Sequence, residues 1–196
     1  MTHQALIDTD FMQHLAAIRQ HQDVPGLIDR FFKALDVKPY MHPLIYQREL
    51  SIMTNAVIRD VFGRSIVTTP SLESVLDTPA KKILYDMMVR DLYRIHNRAK
   101  FPLNDTFRDW QAGLSLGEIH SATLCAFLNS SSGEIWFLSD DGGAYTTITA
   151  YSSSSPYRPI RVLSRHSCCE YLRGHGQNNL QDDQKLTRKE LRQIEA

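Results

Sequence analysis

Six carboxylates stand where a chain can do chemistry. Asp8 and Asp10 close a short apolar stretch, Ala5 to Ile7. Asp140 and Asp141 close a second one, Ile135 to Leu138, just before Gly142 and Gly143. Glu49 and Glu118 lie near the starts of two helical patterns. An unbroken apolar run of strand length suits a strand covered on both faces. Acids at the C-terminal ends of buried parallel strands lie at the edge where α/β sheets gather their active sites. These regions can therefore meet in one pocket. Crowded carboxylates repel one another and raise each other's pKa values. A divalent cation relieves that cost. Oxygen ligands without Cys or His favour Mg²⁺ or Mn²⁺ over zinc. An ion held in this way can bind a phosphate oxygen, activate a water and steady a leaving oxygen.

The elements that must position these acids alternate. After the first strand, Phe11 to Arg19 and Leu27 to Leu35 read as helices, separated by Pro25 and Gly26. Pro39 and Pro43 bracket an extended piece. A helix is expected from about Tyr46 to Phe62, carrying Glu49 and ending at Gly63. Ser71 to Leu76 reads as a helical turn. Pro79 suits the first turn of a long helix, Ala80 to Arg98. Its core stripe is Leu84, Met88, Leu92 and Ile95. Arg90, Arg94 and Arg98 fall on another face, which can meet a phosphate backbone but is more often simply solvated. Phe101 to Ala112 is mixed in pattern. The helix that follows carries Glu118 at its start and Ile119, Ala122, Leu124, Cys125 and Leu128 as apolar positions. Thr146 to Thr149 is open between helix and strand. Pro159 to Leu163 reads as a late strand and His166 to Leu172 as a short helix. Thr187 and Glu190 form a capping-box pair before Leu191 and Ile194. Strands separated by helices predict an α/β fold, with a central, mostly parallel sheet between helical layers.

Composition sets the outer bounds. The 196 residues are 42% hydrophobic, enough for the core of one domain. That domain is expected over residues 1–174, with an enlarged helical segment at about 64–112. Residues 175–196 read as a polar C-terminal tail with a helical pattern. Lys plus Arg equals Asp plus Glu at 22 each, which argues against a globally basic nucleic-acid binder and leaves room for a local basic stripe. No apolar run is long enough to span a membrane, and MTHQALIDTD lacks a signal-peptide core. Three cysteines with no CxxC pair predict neither a disulfide framework nor a zinc site, and favour a reducing cytoplasm. His42, His96, His120 and His166 read as packing or surface residues, and Trp110 and Trp136 as core.

Four short motifs, in order, carry a resemblance: LIDTD at 6–10, REL at 48–50, LGEIHSATLCA at 116–126 and FLSDDGGA at 137–144. Over roughly residues 3–165 the chain resembles the PIN-domain nucleases. The resemblance implies a magnesium- or manganese-dependent endoribonuclease. It makes Asp8 the first acid, Glu49 the second, Glu118 the third, and Asp140 or Asp141 the fourth. Asp8, Glu118 and one of the two aspartates would hold the metal, and Glu49 would help place the ion or orient the water. Asp10 is an extra ligand candidate, and Ser139 matches the hydroxyl residue that often precedes the last acid. Small bacterial members are often toxins held by an antitoxin, so the resemblance implies RNA as substrate, a protein partner and a homodimer. The span between Glu49 and Glu118 is longer than in compact members. A basic residue common after the last acid is missing from GGAYTT.

Plainer readings stand beside these. Asp8 alone suits a helix N-cap. Glu118 and Glu49 suit first-turn acids favoured by the helix dipole. Asp140 and Asp141 before two glycines suit a turn. Two other functions compete. ALIDTDF also resembles the opening of haloacid-dehalogenase-type phosphatases, with Asp8 as nucleophile and Asp10 as general acid. A PIN-like fold that binds RNA or protein without cutting is the other.

Overall fold

The structure is a computed structural model that describes residues 3–45, 55–64, 70–97, 116–128, 134–145, 148–149, 160–175, 177 and 180–196. Four strands form one sheet: β1 (His3–Ile7), β2 (Val37–Tyr40), β3 (Ile135–Leu138) and β4 (Ile160–Leu163). Their order is β2-β1-β3-β4 and every pairing is parallel. The helices are α1 (Thr9–Ala16), α2 (Val24–Ala34), α3 (Ala56–Gly63), α4 (Leu72–Val75), α5 (Pro79–Asn97), α6 (Leu116–Cys125), α7 (Arg165–His175) and α8 (Arg188–Glu195). Among the described residues no helix is long and apolar enough to cross a membrane.

Side chains on a strand alternate between its faces, and here both faces are apolar and both are covered. Ala5, Ile7, Trp136, Leu138 and Leu163 join a core with Phe11, Phe31, Cys168 and Ile194, from α1, α2, α7 and α8. Leu6, Ile135, Phe137, Ile160 and Val162 join a second core with Val89, Leu92, Ala122 and Cys125, from α5 and α6. The result is a helix-covered α/β sheet. The three cysteines are free and buried. Burial pushes their thiols up, Cys169 to about 12, so none is a ready nucleophile.

Pro25 and Gly26, expected as a break before a helix starting at Leu27, instead lie in the first turn of α2, because Asp23 caps the helix earlier by accepting from Gly26 N and proline suits a first turn. Pro79 opens α5, on which Met88 and Leu92 are buried, Leu84 is half-buried and Arg90 is exposed. The side chains of Arg94, Ile95 and Arg98 lie outside the described residues.

The expected helix over Tyr46 to Phe62 is not continuous. Asn55 has an extended backbone and its side chain accepts from Val57 N and Ile58 N, which starts α3 afresh at Ala56. Glu49 therefore does not belong to α3, and it falls outside the described residues. The extended piece expected between the two prolines sits earlier, as β2.

The segment expected as a polar tail is packed. Leu186, Leu191 and Ile194 are buried in the first core. The Thr187–Glu190 capping box is formed in full at the start of α8. Glu190 also pairs with Arg30 of α2 and with His21.

Candidate functional site: an acidic sheet edge

The parallel register brings the ends of β1 and β3 together. Leu6 lies beside Phe137 and Ile7 beside Leu138, so Asp8 comes level with Ser139. The Asp8 N–H donates to Leu138 O at 2.9 Å. Ser139 Oγ donates to Asp8 Oδ2 at 3.0 Å and accepts from Asp141 N at 3.1 Å. Asp8 is only 6% exposed. Its Oδ1 also accepts from Thr9 N at 2.8 Å, so Asp8 is the N-cap of α1 as well as the acid at the strand end.

Asp10 follows in the first turn of α1, half-buried, accepting from Phe11 N at 2.6 Å. Its carboxyl is held above the usual range, first by burial and then by the negative charge of Asp140, although the Phe11 and Asp140 backbone N–H groups work against this. Asp10 and Asp140 therefore share one electrostatic environment.

Asp140 is anchored by the side chains of His14 and Arg165, whose proximity carries no signal in the sequence. Its Oδ2 lies 2.8 Å from His14 Nδ1 and 2.5 Å from Arg165 Nε, and its Oδ1 accepts from Arg165 N at 2.9 Å. Burial raises the carboxyl, but the Arg165 N–H, His14 and the Arg165 guanidinium outweigh it and hold Asp140 below the usual range. Asp141 stands apart. It is exposed, and its Oδ1 accepts from Gly143 N at 2.6 Å, closing one helical turn over residues 142–145. Of the two aspartates, Asp140 shares the electrostatic environment of Asp10, and the side chain of Asp141 caps the turn that follows it.

Glu118 occupies the first turn of α6, which packs against β1 and β3. Its side chain, like all of Glu49, is outside the described residues. Among the described residues no group of three His, Cys, Asp or Glu is arranged to hold an ion. The chemistry of the donors that are described nevertheless fits a hard divalent cation. They are carboxylate oxygens, and the charge of Asp140 that lifts Asp10 is the repulsion such an ion removes.

A polar network lies buried in the second core. His42 follows β2, fully buried, and its Nδ1 accepts from Leu44 N at 3.0 Å. That fixes the proton of the neutral ring on Nε2, which lies 2.9 Å from Tyr85 Oη. The Tyr85 hydroxyl in turn lies 2.7 Å from His120 Nδ1. The packing role expected for His42 and His120 holds, but the two rings meet through a tyrosine. Burial pushes His42 down to about 3, with His120 adding to the effect, and burial pushes His120 down to about 4. The unfolded chain therefore binds more protons below about pH 6.5, so stability falls as pH falls from there toward 4. Each proton withheld costs about 1.4 kcal/mol per pH unit. A His42→Gln variant, which keeps an amide near Nε2, should flatten the decline in urea midpoint between pH 6.5 and 4.5. An unchanged slope would show that His42 is not its source.

Comparison of the chain with protein-family models, with curated proteins and with solved structures found no match.

Proposed function

We propose that the protein is a divalent-cation-dependent endoribonuclease of the PIN type. The acidic sheet edge is its active site. The observation that supports the reading most is the joining of two strand ends through Ser139 and Asp8, with Asp10 and Asp140 in one electrostatic environment beside them. Asp8, Glu118 from α6 and Asp140 would hold the ion, with Asp10 as a further ligand. When bound, the ion supplies the charge that draws a phosphate oxygen in and makes a water acidic enough to attack.

The chain's own groups do the rest. Ser139 fixes the rotamer of Asp8, so that one carboxylate oxygen is held at the edge. Arg165 and His14 fix Asp140. His14 is half exposed, bonded through Nδ1 to Asp140. Its Nε2 is left to accept a proton from the attacking water or return one to the leaving oxygen, the role a carboxylate-oriented imidazole fills well. Arg165 carries the positive charge that GGAYTT does not provide. It reaches the edge from the start of α7 instead of from the loop after the last acid.

The raised carboxyl of Asp10 also suits the phosphatase reading, in which it would donate a proton. The test is incubation with a mixed pool of structured and single-stranded RNAs, with Mg²⁺, Mn²⁺ or chelator, beside Glu118→Gln. The expected result is cleavage that needs metal and is lost in the variant. Hydrolysis of a phosphomonoester that needs Asp8 but not Glu118, with the RNAs intact, would move the assignment to the phosphatase. Metal binding with no cleavage of either substrate would favour a binding module.

A further inference from the structure

A cavity of about 750 Å³ opens between the C-terminal end of α1, the start of α7 and the exposed side of α8. Arg19, Arg165, Arg188, Lys189, Arg192 and His14 line it, and no aspartate or glutamate does. This local charge is concealed by a whole-chain balance of zero. It arises because α8 sorts its residues by face. Leu191 and Ile194 turn to the core. Glu190 is taken by Arg30 and His21, and Glu195 by Arg173 and His166. Arg188, Lys189 and Arg192, spaced i, i+1, i+4, share the remaining side with neither acid. These three and Arg19 are exposed and have no carboxylate partner among the described residues.

The cavity is built from fixed parts. Gln193 Nε2 donates to Gln20 O at 3.0 Å, tying α8 to the segment after α1. Arg165 Nη1 donates to Ile194 O at 2.9 Å, tying α7 to the last turn of α8. Arg165 and His14 belong to both the cavity and the acidic edge, since both bond to Asp140. The cations thus form a track that leads up to the carboxylates. The four cations without a carboxylate partner among the described residues, Arg19, Arg188, Lys189 and Arg192, repel each other across the concavity and attract a repeated anion. The lining has no Trp, Tyr or Phe on which a base could stack.

We propose that this groove holds the phosphodiester backbone of a nucleic-acid strand and delivers it to the acidic edge. The delivery rests on the nuclease reading; the binding does not. The groove touches phosphates, so affinity is tolerant of sequence and steep in salt.

The test is fluorescence anisotropy with a labelled single-stranded RNA oligonucleotide, in chelator so that nothing is cut, across a range of salt. Taking three cations away from the phosphates of a single strand lowers the slope of log affinity against log salt by about 2. Arg188→Gln/Lys189→Gln/Arg192→Gln should show that drop and bind about tenfold more weakly at moderate salt. Glutamine matches Arg and Lys in helix propensity, so α8 is kept. Arg188→Lys with Arg192→Lys should keep the full slope. A variant with the same charge change elsewhere, Arg64→Gln/Lys81→Gln/Lys82→Gln, should match wild type. A DNA strand of the same sequence separates the two sources of backbone: equal affinity assigns the groove to phosphates alone, weaker DNA binding to RNA.

The proposal is overturned if the α8 triple variant binds as wild type does, or if the control variant loses as much. It is also overturned if poly-glutamate displaces the RNA at equal charge, since the groove would then suit an acidic protein. Because binding is read without metal, a strand that binds but is never cut leaves the groove standing and removes the nuclease. Cutting that persists with unchanged binding in the triple variant does the reverse.

Discussion

Replacing Asp8 by asparagine is expected to abolish metal-dependent RNA cleavage by about a thousandfold or more while the protein stays folded. The two halves of this expectation come from two roles of one side chain. As N-cap of α1, Asp8 accepts from Thr9 N, and asparagine caps nearly as well as aspartate. As partner of Ser139, it accepts at Oδ2. An asparagine amide placed there can donate to the serine oxygen, so the contact can reverse and survive. The cost to stability should therefore stay within about 1 kcal/mol. What asparagine lacks is the negative charge for a cation. A metal site supplies several kcal/mol of transition-state stabilisation, and each 1.4 kcal/mol removed is about tenfold in rate. Single-turnover cleavage and urea unfolding on the same preparation check both halves. Cleavage reduced less than about tenfold would remove Asp8 from the chemistry. A collapse of stability alongside the loss of rate would make the cap its main duty.

The second large effect is expected at Arg165. Its side chain is 13% exposed and Asp140's is 12%, so the pair is nearly out of water. Arg165 also holds Ile194 O, at the end of α8. Removing one partner from a buried pair leaves the other poorly compensated, here with the His14 ring as its remaining side-chain partner, which costs more than the pair contributes. Arg165→Met, which keeps the stem's packing, should lose about 3 kcal/mol and roughly 6–12 °C in Tm. The stability contributed by Asp140 is present above the ordinary carboxylate range and lost as pH falls through its lowered value in the fold. In the variant that loss should begin at higher pH. Adding Asp140→Asn removes the stranded charge, and the double variant should recover at least half of the deficit. A single variant within about 0.5 kcal/mol of wild type would make the pair an ordinary surface contact.

The parts of this fold that were legible in the sequence are those written in short range. Ile135 to Leu138 announces a strand buried on both faces because all four residues are apolar. The Thr187–Glu190 box marks the start of α8 because both partners lie within one turn. β2 is harder to read, since Lys38 and Pro39 break the apolar run. It lies at the edge of the sheet, where a missing N–H is tolerated, so Pro39 can sit inside it. The break at Asn55 was written in a good N-cap residue, but the apolar pattern on either side reads through it.

The acids at the ends of β1 and β3 were legible for the same local reason. Sequence alone did not separate the surroundings of Asp140 and Asp141; Gly143, His14 and Arg165 distinguish them only in space. The groups that anchor Asp140 were not legible at all. His14 is 126 residues away along the chain and Arg165 is 25. The His42–Tyr85–His120 network spans separations of 43 and 35 residues. The basic groove was hidden for a further reason. The arginine stripe on α5 was the visible candidate, while the cations of α8 are interleaved with glutamates that pair elsewhere. Spacing along α8 shows its faces, but only packing shows which acids are already taken.

The central claim is that the acidic edge holds a divalent cation. Titrating the protein with Mn²⁺ and following the free ion by electron paramagnetic resonance tests this directly, without a substrate. Saturable binding by the wild-type protein is expected, competed by Mg²⁺ and abolished in Asp8→Asn, while Asp141→Asn binds as wild type. Binding that is absent from the wild type, or equal in wild type and Asp8→Asn, would contradict it.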